Sequence, residues 1–240
     1  IVFNLKFMPN KTIQESRRRT CEFFPIKKSV ELRFNTDEES YFTYGYVESN
    51  EASVFSAETG TTISVICEDP YFYLGGKEDS QITQFTTVVP MFEFPFSNES
   101  LEEKLLIFGN QITVPDKTLF YQGTTPTGFV ARMVFSGSVV NPALYNVLTA
   151  ERIKIDTTKL ASLTGSGIKE GDEIIISTVR GAKKIQLFRD GLYKNILNTA
   201  DKNMVWLELQ PGDNVLTYTA DLGAANMSVE IRNRVLLEGF

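Results

Sequence analysis

The sequence predicts a mainly β chain: an N-terminal β domain with one helix, followed by an antiparallel β-sandwich. Three observations carry that reading. Short runs rich in Val, Ile, Thr, Tyr and Phe recur along the whole chain, turn signals separate many of them, and one stretch near the N-terminus has helical spacing. At 240 residues, 42% hydrophobic and 22% charged, the composition is that of a globular protein long enough for one large domain or two smaller ones.

Val2, Leu5 and Phe7 mark a short first strand that ends at Pro9-Asn10. Because the chain opens directly on this strand at Ile1, its natural beginning is expected to lie further upstream. A helix of about three turns follows. Asn10 or Thr12 can cap it, Glu15 suits its positive end, Ile13, Cys21 and Phe24 share a face, Arg17-Arg18-Arg19 lie mostly outside, and Pro25 stops it. Val30 to Phe34, Tyr41 to Val47 and Thr61 to Cys67 then read as strands, with polar loops at 35–40 and 51–59. Gly75 and Gly76 with Lys77, Glu78, Asp79 and Ser80 interrupt every pattern, which places a first domain at 1–75, a linker at 76–81 and the sandwich at 82–240. Beyond Gln81 no helix is expected. The strand-like runs there are Thr83 to Phe92, Phe129 to Phe135, Arg152 to Ile155, Glu173 to Thr178, Lys184 to Phe188, Val205 to Leu209, Asn214 to Thr219 and Met227 to Leu236, with turn signals such as Arg180-Gly181 and Asp190-Gly191 between them.

Charge and residue counts exclude several functions. With 24 basic against 30 acidic residues the net charge is −6, which argues against specific nucleic-acid binding. The absence of His removes the usual general base and the commonest metal ligand, so Ser-His-Asp and Cys-His sites cannot form, and Cys21 and Cys67 alone cannot complete a zinc site. A Cys21–Cys67 disulfide is possible in principle, although two buried free thiols fit the composition better. No run reaches 18 apolar residues, so no membrane segment is expected.

The remaining candidates each have a plainer reading. Ser166-Gly167-Ile168-Lys169 fits S-x-x-K, yet it sits in a glycine-rich turn with no partner motif. Gly165, Gly167 and Gly171 miss the dinucleotide-binding spacing. Glu170, Asp172 and Glu173, like Glu99, Glu102 and Glu103, leave a glycosidase-like carboxylate pair open, with solvated loop charge the simpler account. Trp206 and Glu208, two apart on one strand face, could bind a sugar, and Trp206 could equally be a packing residue. The sequons at Asn10, Asn98 and Asn226 carry no weight alone. No catalytic, cofactor-binding or metal-ligating residue is assigned, and ligand-binding residues stay unknown.

The ordered set Tyr44-Gly45-Tyr46-Val47-Glu48, Ile63-Ser64-Val65-Ile66-Cys67-Glu68-Asp69-Pro70-Tyr71-Phe72, Gly171-Asp172, Ser177 to Gly181 and Trp206 to Asn214 resembles the distal tail proteins of long-tailed (siphovirus-type) bacteriophages and prophages. The resemblance spans nearly the whole chain. It implies a hexameric ring built by the N-terminal domain beneath the tail tube and a galectin-like sandwich hanging outside. It also implies no enzyme activity and no cofactor. The implied partners are other copies of the chain, the major tail tube protein, the tail-associated tip protein, and receptor-binding or baseplate proteins; the implied place is the virion tail tip, assembled in the host cytoplasm. Relatives that carry a long receptor-binding arm differ from this chain, whose loops are short. The competing function is a carbohydrate-binding module, although the lack of His breaks the residue set by which galectins read galactosides.

Overall fold

The computed structural model describes residues 1–8, 10–53, 59–76, 80–90, 109–113 and 116–239. Most of these residues are in antiparallel strands, and the chain divides into two units, Ile1–Asp79 with Leu236–Phe240, and Ser80–Val235. The sequence reading put 236–240 in the second domain. The structure differs there, because a last short strand, Leu236–Leu237, pairs with Phe72 and Tyr73 of the first unit.

In the first unit β1 (Val2–Lys6), β2 (Ser29–Asn35), β3 (Ser40–Ser53), β4 (Gly60–Cys67) and β5 (Phe72–Leu74) join that last strand in one sheet, ordered β1-β4-β3-β5-last, with β2 also on β3. In β4 the alternation is clean: Thr61, Ile63 and Val65 are buried while Thr62 and Ile66 are exposed. One helix, α1 (Ile13–Phe23), lies between β1 and β2. Thr12, not Asn10, caps it, its Oγ1 accepting from the Glu15 N–H at 3.2 Å. The helix stops before Pro25, since the residue preceding a proline is driven out of helical backbone. The buried core here is small: Leu32, Val47, Ile63 and Val65, closed by Phe3, Phe24, Val30, Phe34 and Cys67. Gly45 is where β3 passes Val65 too closely for a side chain, a Cβ there falling 2.3 Å from Val65 Cγ1.

The second unit begins with β6 (Gln81–Gln84), β7 (Thr86–Pro90), β8 (Gly109–Thr113) and β9 (Asp116–Tyr121) and continues with β10 (Phe129–Phe135), β11 (Ala143–Asn146) and β12 (Arg152–Lys154). After α2 (Thr157–Thr164) come β13 (Glu173–Ser177), β14 (Lys184–Arg189), β15 (Leu192–Asn195), β16 (Gly212–Thr219) and β17 (Met227–Asn233). They form a six-stranded sheet, β15-β14-β13-β10-β17-β6, a four-stranded sheet, β12-β11-β16-β9, and the β7–β8 pair. Strict alternation makes the sandwich. Phe129, Ala131, Met133 and Phe135 of β10 share one buried cluster with Leu119 and Tyr121 of β9 and Leu216 and Tyr218 of β16. Asp190-Gly191, with φ of 52° and 78°, makes the expected two-residue hairpin between β14 and β15.

Three local readings need correction. α2 exists where no helix was expected: Asp156 caps it by accepting from the Thr158 and Lys159 N–H groups, Gly165 ends it, and only Leu160 is buried. Eight residues with one buried position leave too little periodicity to read. Val205 to Leu209 forms no strand; Leu207 and Leu209 are buried, and only Leu209 bridges, to Thr127. The run Thr83 to Phe92 breaks at Phe85 into β6 and β7, its last two residues lying outside the described residues.

Candidate functional site

The sequence-derived chemical candidates do not converge on a catalytic arrangement. Ser166 is held by Arg189, whose Nη1 donates to Ser166 Oγ at 2.8 Å, and Lys169 is engaged through its backbone N–H, which donates to Asp172 Oδ2 at 2.8 Å. Asp172 is not solvated loop charge. It is 2% exposed and accepts from Arg189 Nε at 2.8 Å, while Arg189 Nη2 also donates to the Gly167 carbonyl at 2.7 Å. The Asp172 hydrogen bond raises the Arg189 pKa, keeping the guanidinium charged. The arrangement pins the loop after α2 to β14, an ion pair whose remaining hydrogen-bonding atoms are taken up by Ser166, Gly167 and the Lys169 N–H. Its 17-residue separation left no local signal in the sequence. Glu173, beside it, is paired with Arg132 across β10 and β13.

Trp206 lies partly buried against the sandwich core with Lys183 Nζ 5.8 Å from its ring centroid, and Glu208 is exposed. Both cysteines are free, but Cys21 is exposed on α1 rather than buried, and Cys67 is partly buried. Asn10 is exposed, and Asn226 Nδ2 donates to the Ser138 carbonyl at 3.3 Å. Glu99, Glu102, Glu103 and Asn98, with part of the 76–81 linker, lie outside the described residues. Among the described residues no helix is long and apolar enough to cross a membrane.

What stands out instead is an uncovered surface on the N-terminal unit. Tyr44 and Tyr46 alternate with buried Gly45 and Val47 and so share the outer face of β3. Ile66 pairs with Tyr46, and Val2 pairs with Ser64, two residues from Ile66 on β4. These four large side chains are 37% to 62% exposed on one sheet face. Phe42 at its margin is fully buried, with Tyr73 stacked on it at 5.1 Å and Tyr44 edge-on at 5.6 Å. Ser64, beside Val2, donates to Glu48 at 2.9 Å on the same face, so the surface is mixed, with Tyr44, Tyr46 and Ile66 its apolar part; exposed aromatic side chains among polar ones suit a protein partner. Alternation in β3 and β4 gave the strands, but the sequence could not show which face would be covered.

Comparison with known proteins separates fold from sequence. No protein-family model matches the chain, and no curated protein matches it in sequence. The structure of SPP1 Dit, described as a paradigm of the hub adsorption apparatus in phages infecting Gram-positive bacteria, matches with a TM-score of 0.57 and 14% identity over 97% of this chain and 77% of that one. The chain shares its fold with that phage hub protein. The baseplate of phage P2 in its activated conformation with calcium also matches, at 10% identity over 97% of this chain and 79% of that one, but its TM-score of 0.43 is too low to add to the argument.

Proposed function

We propose that the chain is a structural component of a phage tail tip, a ring-forming connector between the tail tube and the host-adsorption apparatus, without enzyme activity. The observation that carries this reading is the likeness of fold to SPP1 Dit along 97% of the chain. The exposed face on β3 and β4 supports it, as does the place of β1 at the end of its sheet among the described residues, since a sheet edge invites pairing or covering. Identical copies joined head to tail with a closing rotation bury such surfaces around a ring. The partners in this reading are other copies of the chain, the tail tube protein and the tail-associated tip protein, with the sandwich, read as galectin-like, turned toward receptor-binding or baseplate proteins. Its place is the virion tail tip, reached by assembly in the host cytoplasm. A net charge of −6 suits a ring around a DNA channel, which gains from not attracting phosphate.

Negative-stain electron microscopy with light scattering tests this. Six copies of 27.0 kDa would give closed rings of about 162 kDa. A protein that stays monomeric at high concentration and is missing from the tail tip of immunolabelled virions would sink the connector reading.

A further inference from the structure

We propose that α1 of one copy docks against the acidic end of the N-terminal sheet of the next copy, so that the ring is closed by a head-to-tail charge match. The proposal rests on the ring reading and adds which surfaces meet.

Among the described residues the helix is held toward its C-terminal end, where Asn50 Nδ2 reaches Cys21 Sγ at 3.9 Å. No residue of α1 is buried; Ile13 is 50% exposed and Phe23 66%. A helix of 11 residues is marginal unless a face of it is packed. Its attachment is at its end, where Phe24 joins the core and its carbonyl accepts from Asn50 Nδ2 at 3.5 Å. Arg17, Arg18 and Arg19 are all exposed, and among the described residues the ion pair on this helix is Lys11 with Glu15, leaving the three guanidinium groups without one. A shallow, open depression lined by Gln14, Arg17, Arg18, Cys21 and Glu22 runs along it.

The complementary surface is on the same unit. Residues 1–33 carry eight Lys and Arg against three Glu, whereas residues 34–76 carry eight Asp and Glu and no Lys or Arg at all. In space the sets overlap at one end and separate at the other: Glu48 and Glu51 are exposed on β3 near Asn50, while Asp37 and Glu38 are far from the helix. Asn50, beside the helix end, and the turn holding Asp37 and Glu38 lie toward opposite ends of β3, ten residues from Asn50 to Ser40, or about 30 Å at the rise of a strand. Asp37, Glu38 and Glu68 are exposed. The Debye length at physiological salt is about 8 Å, so the arginines of α1 and the turn holding Asp37 and Glu38, this far apart, do not neutralise each other within one copy. A second copy brings the opposite sign to each end, and the exposed Ile13 and Phe23 supply the apolar contact that surface charges alone would not.

A charge-swap experiment on the full chain tests this. One variant carries Arg17→Glu, Arg18→Glu and Arg19→Glu; the other carries Asp37→Lys, Glu38→Lys and Glu68→Lys. All six positions are exposed, so circular dichroism and melting should match the parent. Each variant alone should run as a monomer at concentrations where the parent forms rings, and an equimolar mixture should restore rings with the two variants alternating. The parent's rings should also dissociate at 1 M salt, where screening shortens to about 3 Å. Rings from either variant alone, a mixture that stays monomeric, or a mixture that stops at a pair of chains would each overturn the charge match while leaving the ring reading intact. A parent that never forms rings would overturn both.

Discussion

The two units bury their apolar residues very differently. In the C-terminal unit both sheets turn alternate residues into one closed core, so that Phe129, Met133, Leu144 and Ile174 are all fully buried. In the N-terminal unit four residues form the buried cluster, and large side chains such as Val2, Tyr44, Tyr46, Ile66 and Phe23 stay exposed. Both units also expose large apolar side chains, Phe120, Leu192, Tyr193 and Leu222 among those of the sandwich, so the difference lies in the size of the buried cluster, and the N-terminal unit has little core to set against its exposed surface. Mutations should therefore act through folding in the C-terminal unit and through assembly on the exposed faces of the N-terminal one.

The largest effect is expected at Phe129. Phe129→Ala removes a fully buried ring from the middle of the sandwich and should cost about 3–5 kcal/mol in chemical denaturation. Arg189→Ala comes next, at about 3 kcal/mol, because it leaves the 2%-exposed Asp172 carboxylate buried without its partner. Restoring the pair's volume with apolar residues, Asp172→Leu with Arg189→Met, should recover most of that loss; no recovery would mean that the pair does more than hold the loop.

Gly45→Ala would sharpen the comparison from the other side. Its Cβ meets Val65 Cγ1 at 2.3 Å, so β3 and β4 must shift, at about 1–3 kcal/mol, and the loss should show in the N-terminal unit while the sandwich keeps its own transition. Trp206→Ala should cost about 1–2 kcal/mol, less than a fully buried Trp, since the ring is only partly covered. A glycan array should show no difference between that variant and the parent; loss of sugar binding at unchanged stability would reverse the packing assignment.

The smallest effect is on acid stability. The backbone N–H of Lys159, then that of Thr158, lowers the pKa of Asp156, and Asn141 followed by Lys154 lowers that of Asp221. A carboxylate whose folded pKa is depressed contributes stability that is present above its unfolded value and lost as pH falls through the folded one. Sandwich stability should thus be flat above about pH 4 and fall below it. Asp156→Asn keeps a capping side chain without the charge and should flatten part of that acid slope, measured as melting temperature against pH.

Legibility in the sequence followed the range of the interactions. Val30 to Phe34, Thr61 to Cys67 and Phe129 to Phe135 were readable because alternation is local, and Asp190-Gly191 because two residues define the turn. β9 (Asp116–Tyr121) and β15 (Leu192–Asn195) escaped: the first shows its alternation only once Leu119 and Tyr121 face the core, and the second is exposed throughout. Val205 to Leu209 has strand composition yet is held by burial of Leu207 and Leu209 rather than by a ladder. The uncovered face of β3 and β4 was hidden for a related reason. Tyr44, Tyr46 and Ile66 look like core residues in a sequence, and their exposure depends on what the chain does not place over them.

Hydrogen exchange across a concentration series probes the contrast between the units most directly, because protection follows what each segment packs against. The account predicts that amides of Ile13–Phe23 gain protection as the protein assembles, while those of Glu173–Ser177 and Lys184–Arg189 in the sandwich are protected equally at every concentration. Protection of α1 that never changes, or gains confined to the sandwich, would contradict it.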